Sequence, residues 1–150
     1  GLSGGLQTHD PTIVRESGNT WWSASTGTGI GMKYSTNGGK TWTDGLPIFS
    51  RPLSWWKKYA PNMTTNDVWA PDLEYYRGRY YCYYSVSEFG KNNSAIGLVS
   101  CSSISKGDWR DDGVVLYSRY GSSKFNAIDP NLVVDAKGKP WLVYGSMLFV

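Results

Sequence analysis

The sequence predicts an all-β chain laid out as successive wedges of a β-propeller. Three observations carry that reading: short aromatic or β-branched runs, a turn signal at nearly every break, and a repeat of about 60 residues. Gly18, Gly78 and Gly138 stand 60 residues apart. Each follows an acid (Asp10, Asp72, Asp129) and precedes an aromatic strand start (Trp21, Tyr80, Trp141). A repeat of several tens of residues with about four short strands is the pattern of a propeller blade. A sandwich with evenly spaced strands is the alternative.

The first unit, about 6–48, is read as strands over 10–16, 20–25, 30–35 and 41–43. Its Asn37-Gly38-Gly39-Lys40 break is a hairpin turn, because Asn and Gly tolerate the positive φ of tight turns. A long connection over 50–67 follows, in which Trp55-Trp56 either paves a cleft rim or staples the loop. The second unit, about 68–118, holds strands over 72–76, 79–86, 94–100 and 113–118. The third begins near 126, with strands over 129–134 and 140–145, and runs to 150. At 60 residues per unit the 150 residues hold about two and a half units. Closed rings need roughly four to eight. A second copy or a C-terminal half chain is therefore expected to complete the ring and to cover the apolar end Met147-Leu148-Phe149-Val150.

Composition removes several function classes. The 23 aromatic residues are too many for a disordered chain. Lys and Arg exceed Asp and Glu by only three and form no block, so nucleic acid is not an expected partner. No run of about 18 apolar residues exists to cross a membrane. The stretch Gly1 to Leu6 has neither a basic nor an apolar region, so no signal peptide is read in this chain. One His and two Cys exclude a His- or Cys-based metal cage. A hairpin register pairing Val86 with Ala95 sets Cys82 and Cys101 diagonally, a geometry unsuited to a direct bridge. The remaining aromatics, among them Trp21, Trp22, Tyr80, Tyr84 and Trp141, are assigned to packing between units.

The first strand of each blade borders the central channel, so acids at strand starts converge on one mouth. Asp10, Asp72 and Asp129 occupy such positions. A lone Asp at a strand start more often caps a turn. Asp10-Pro11 and Asp129-Pro130, at repeat-equivalent places, favour chemistry, because converging carboxylates raise each other's pKa and are costly to keep.

Five segments then carry a family likeness in order: Thr8-His9-Asp10-Pro11, Val68-Trp69-Ala70-Pro71-Asp72, Tyr84-Ser85-Val86-Ser87-Glu88-Phe89-Gly90, Ser94-Ala95-Ile96-Gly97-Leu98 and Asn126-Ala127-Ile128-Asp129-Pro130. The chain resembles glycoside hydrolase family 43, and within it the endo-α-1,5-L-arabinanases. Ser35 to Trp42 is similar to the Asp-box turn of other propellers, with Asn37 in place of the Asp. The resemblance implies a five-bladed propeller, an active site at one end of the channel, and hydrolysis with inversion. It implies Asp10 as general base and Asp129 as the acid that tunes and orients the general acid. It also implies Trp69, Phe89, Asn126, Ser146 and Asp72 as substrate-binding residues. The family's general acid, a Glu, has no counterpart among Glu16, Glu74 and Glu88, so activity is expected to need the complementing half. The expected partner is arabinan or an arabino-oligosaccharide, and the expected setting is secreted or periplasmic. No cofactor is required within this chain; a calcium in the channel of a complete ring is what the resemblance allows. Two alternatives stand beside this reading: a catalytically incomplete carbohydrate-binding fragment, and a family 43 arabinofuranosidase or xylosidase.

Overall fold

Alternating apolar and polar residues broken by Gly, Asn and Ser leave the chain little choice but extended hairpins, and a computed structural model shows them over the described residues 1–145. The first sheet has the order β1-β6-β5-β3-β2: β1 (Ser3–Gly4), β2 (Thr12–Ser17), β3 (Thr20–Ser25), β5 (Gly31–Ser35) and β6 (Thr41–Asp44). The second has the order β10-β9-β8-β7-β4: β4 (Gly27–Thr28), β7 (Asp67–Tyr76), β8 (Arg79–Ser87), β9 (Ser94–Cys101) and β10 (Arg110–Ser118). A third, two-stranded sheet pairs β11 (Ile128–Val134) with β12 (Pro140–Gly145). The described residues are all-β apart from one four-residue helix, α1 (Trp56–Tyr59), and no helix among them is long and apolar enough to cross a membrane.

The Asn37 turn works as an Asp would. Its amide oxygen accepts from Thr41 N and Ser35 Oγ, both at 2.9 Å, and its Nδ2 adds a bond to Thr41 Oγ1. Gly38 and Gly39 take φ of +72° and +84°, which a side chain would resist.

The core lies between the first and second sheets. Trp56 is buried there, donates through Nε1 to Tyr84 Oη at 3.1 Å, and meets Phe49 edge-on at 5.0 Å. Trp55 packs beside Tyr84, and the pair leaves no room at Gly97. A Cβ there would stand 2.5 Å from Tyr84 Cζ and 2.9 Å from Trp55 Cη2. The tryptophan pair therefore staples the 50–67 connection and does not pave a cleft. At the far end of the seam, Glu16 reaches from β2 into the β9–β10 connection. Its carboxylate accepts from Trp22 Nε1 (2.8 Å), Ser103 Oγ (2.8 Å), Ser105 N (3.0 Å) and Ser105 Oγ. β4 ties the sheets at the opposite end, leaving the first sheet's connection to pair with β7 through Gly27 and Val68.

The Val86–Ala95 register holds, with Cys82 opposite Val99 and Cys101 opposite Tyr80, and both thiols are buried and unbridged. Two expectations need correction. β7 begins at Asp67, five residues before the expected start at 72, because Val68 and Trp69 already lie against β8 and β4. β10 begins at Arg110, its Asp111–Gly113 bulge having disguised the alternation. Trp141 is 51% exposed in this chain, with Lys139 4.4 Å above its ring.

Candidate active site

One backbone device recurs just before β2 and within the first residues of β7 and β11. Asp10, Ala70 and Asp129 take φ of 50°, 38° and 53°, and each is followed by proline. A residue with a Cβ is strained in this left-handed region, and a following proline narrows its choices further. Such strain persists only where neighbours over-determine it. Here Thr26 Oγ1 accepts from Ala70 N at 2.7 Å and donates to Asp10 Oδ2 at 2.8 Å, while Ser85 Oγ accepts from Asp129 N at 3.1 Å.

This corrects the repeat alignment. The second-sheet equivalent of Asp10 and Asp129 is Ala70, not Asp72, so the elbows carry two acids and not three. Asp72 lies two residues further along β7, buried, with each oxygen engaged by a different sheet. Oδ1 accepts from Thr12 Oγ1 at 3.4 Å and Oδ2 from Leu132 N at 2.6 Å. It clamps three sheets together. The Thr12 hydroxyl in turn accepts from Leu73 N.

Asp10, Asp72, Asp129 and Glu74 line one open cavity of about 480 Å³. Burial, and secondarily the charge of Asp10, hold the Asp129 carboxyl above its ordinary range. Glu74 is pushed up to about 7 by burial, by the charge of Asp72 and by a hydrogen bond with it. Glu74 was missed as a member of this group, although strand alternation from Asp72 places it on the same face. His9 is exposed, and its Nε2 lies 3.2 Å from Asp10 Oδ2, so it attends the acid and does not pack in the core.

A second hollow of about 420 Å³ lies under Trp69 and Phe89, with Asn62, Ser87, Glu88 and Lys91 in its wall. The two rings meet edge to face, 6.5 Å apart at 81°, and Phe89 is 93% exposed. An aromatic ring so far in water on a short loop needs support, and Glu88 supplies it. Buried, it accepts from Asn62 N (2.8 Å) and Asn93 Nδ2 (3.1 Å), fixing the loop to the end of the long connection. Burial raises its pKa, but these bonds and the Lys91 charge outweigh that and hold it low.

Asn126 is also buried; its Oδ1 accepts from Ser94 Oγ at 2.6 Å, and Ser94 is bonded to Ser87 in the cleft wall. Its oxygen supports the wall from behind. Ser146 lies outside the described residues. Among the described residues no three His, Cys, Asp or Glu side chains are grouped to hold a metal, and both Asp72 oxygens are engaged.

Carboxylates facing one cavity, with the half-buried Trp69 and exposed Phe89 rings lining a second hollow, are the equipment of a carbohydrate-cleaving protein, since flat rings suit the C–H faces of sugars. The chain belongs to glycosyl hydrolases family 43, whose sequence profile matches residues 5–148. It is 49% identical over 142 residues to the extracellular endo-α-(1→5)-L-arabinanase 1 of Bacillus subtilis, covering 92% of this chain and 43% of that protein. It is 37% identical over 145 residues to the extracellular exo-α-(1→5)-L-arabinofuranosidase of Cellvibrio japonicus, covering 94% and 41%. Among solved structures, the GH43 endo-arabinanase from Bacillus licheniformis superposes with a TM-score of 0.87 at 52% identity, covering 94% of this chain and 48% of that one. A Cellvibrio cellulosa α-L-arabinanase complexed with arabinohexaose superposes at 0.84 with 35% identity, covering 91% and 44%. The chain thus spans less than half the length of each of these relatives.

Proposed function

We propose that this chain supplies the water-activating side of an inverting arabinan hydrolase. The observation that carries the reading is the placement of Asp10 and Asp129 on matching strained elbows around one cavity. Asp10 is the general base: one carboxylate oxygen is held by Thr26 and approached by His9, and the side chain is about half exposed, open to water. It would take the proton of the water that attacks the anomeric carbon. Asp129, kept more basic by burial and by Asp10, is the residue that orients and tunes the proton donor. Trp69 and Phe89 offer faces for arabinofuranose rings, and Asn126 and Asp72 support the polar surround; Ser146 is assigned to substrate binding on the family likeness alone.

The first and second sheets are then blades one and two of a five-bladed ring, and the third sheet begins blade three. The general acid is proposed to come from the part of the family fold that this chain does not span, carried by a further segment, a partner half or a second copy. Glu16 and Glu88 are unsuited to the role, since their carboxylates are held ionised by hydrogen bonds. That observation favours a second reading, a fragment that binds arabinan without turnover. Relatives named extracellular support a secreted setting. The test is hydrolysis of linear arabinan, with the anomeric product read by NMR, alongside calorimetry. Turnover with inversion, abolished by Asp10→Asn, supports the hydrolase. Affinity without turnover, even beside the complementing half, supports the binding fragment. Unaltered turnover in Asp10→Asn removes Asp10 as the base.

A further inference from the structure

A hollow of about 630 Å³, apart from the acid cavity, forms a groove on the seam between the first and second sheets. Trp22, Tyr34 and Trp109 form its walls, Leu46 stands at its mouth, and Asp44 and Lys106 add polar groups. We propose that this groove is a second binding site for an arabinofuranosyl chain, separate from the site of cleavage; the proposal rests on arabinan being the substrate.

Four features argue for a built surface and against a packing defect. Trp22 and Tyr34 are cross-strand partners whose rings stand 5.3 Å apart at 43°, giving a concave wall fit for a five-membered ring. The Trp22 ring cannot swing away, because its Nε1 is tied to Glu16. Gly45 passes the ring edge so closely that a Cβ would stand 3.3 Å from Trp22 Cζ3, so a side chain there would crowd the wall. Leu46 is 89% exposed, an apolar side chain held in water at the mouth of an aromatic groove. Aromatic faces bordered by a few charged groups match a sugar, which presents C–H faces and hydroxyls on one ring.

The groove also adjoins a hollow beside Asp10. Met32, Asp44, Gly45 and Pro47 are shared with a neighbouring hollow of about 310 Å³ that contains His9 and Thr26, the two residues on Asp10 Oδ2. A polymer held at the seam is kept at raised effective concentration near Asp10.

The eight indole N–H signals of the full chain, assigned by single Trp→Phe variants, report the outcome in a titration with arabinohexaose. Trp22 and Trp109 are expected to shift as well as Trp69. Leu46→Arg, at an exposed position, is expected to weaken the Trp22 and Trp109 response about tenfold, the scale of one lost apolar contact, and to leave Trp69 unchanged. Lys106→Glu, equally exposed, serves as the second variant. If Trp69 shifts while Trp22 and Trp109 stay still, the second site is overturned and the arabinan reading stands. If no indole responds to arabinohexaose or to linear arabinan, both readings fall.

Discussion

Glu74→Gln isolates one carboxyl whose ionisation the fold opposes. Burial is the main cost of a charge on Glu74, and Asp72, fixed by Thr12 and Leu132, adds to it because it cannot retreat. Glu74 is therefore pushed from an ordinary 4.5 up to about 7. Below 4.5 the residue is protonated whether the chain is folded or not, and its stabilising share is fully present. Between 4.5 and about 7 only the folded chain keeps the proton, so stability falls as pH rises. The displacement corresponds to at most about 3 kcal/mol, and because water reaches the side chain about 1–2 kcal/mol is the expected loss. Gln mimics the protonated acid, keeping a donor toward Asp72 without a charge. Urea unfolding followed by tryptophan fluorescence from pH 4.5 to 8 is the assay. The wild-type chain should lose about 1–2 kcal/mol relative to the variant across that range and be the less stable of the two at pH 8. Glu16 and Glu88 act in the opposite sense: held low in the folded chain, they contribute above 4.5 and lose that share as pH falls below it, outside this window. Asp129 is raised in both proteins and cancels in the difference. Parallel stability curves for the two proteins would refute the Asp72–Glu74 argument.

Three further outcomes follow from the same contacts. Glu16→Ala strips acceptors from Trp22, Ser103 and Ser105 at the seam and should cost about 2–3 kcal/mol of unfolding free energy, measured at pH 7. Thr26→Val leaves Ala70 N–H without its acceptor and Asp10 without its donor; about 1–2 kcal/mol should be lost in the same assay and recovered in Thr26→Ser. Cys82 and Cys101, buried and unbridged with burial raising both pKa values, should resist a thiol reagent until the chain unfolds, and reductant should leave the unfolding midpoint unmoved.

What the sequence made legible was set by short-range physics. The 20–25 and 140–145 strands stand as read, because aromatic and β-branched runs between Gly and Asn signals determine them locally. The Val86–Ala95 register was legible for the same reason, since two long strands share a short connection. β1 and β4 were not: two residues carry no periodicity, and each forms only because a distant strand, β6 or β7, offers it an edge. The same distinction explains the acids. Asp-Pro at 10 and 129 announced the two elbows, but Ala70-Pro71 carries the third without an acid, so counting acids chose Asp72 in its place. Backbone strain is the true repeat marker, and proline after a left-handed residue is its only trace in the sequence. Ala70 is then the informative position. Its elbow shows that the same geometry is kept in β7 as just before β2 and in β11, whether or not a carboxylate rides on it. The fold thus sets the strain, and Asp10 and Asp129 use it to aim their side chains at one cavity.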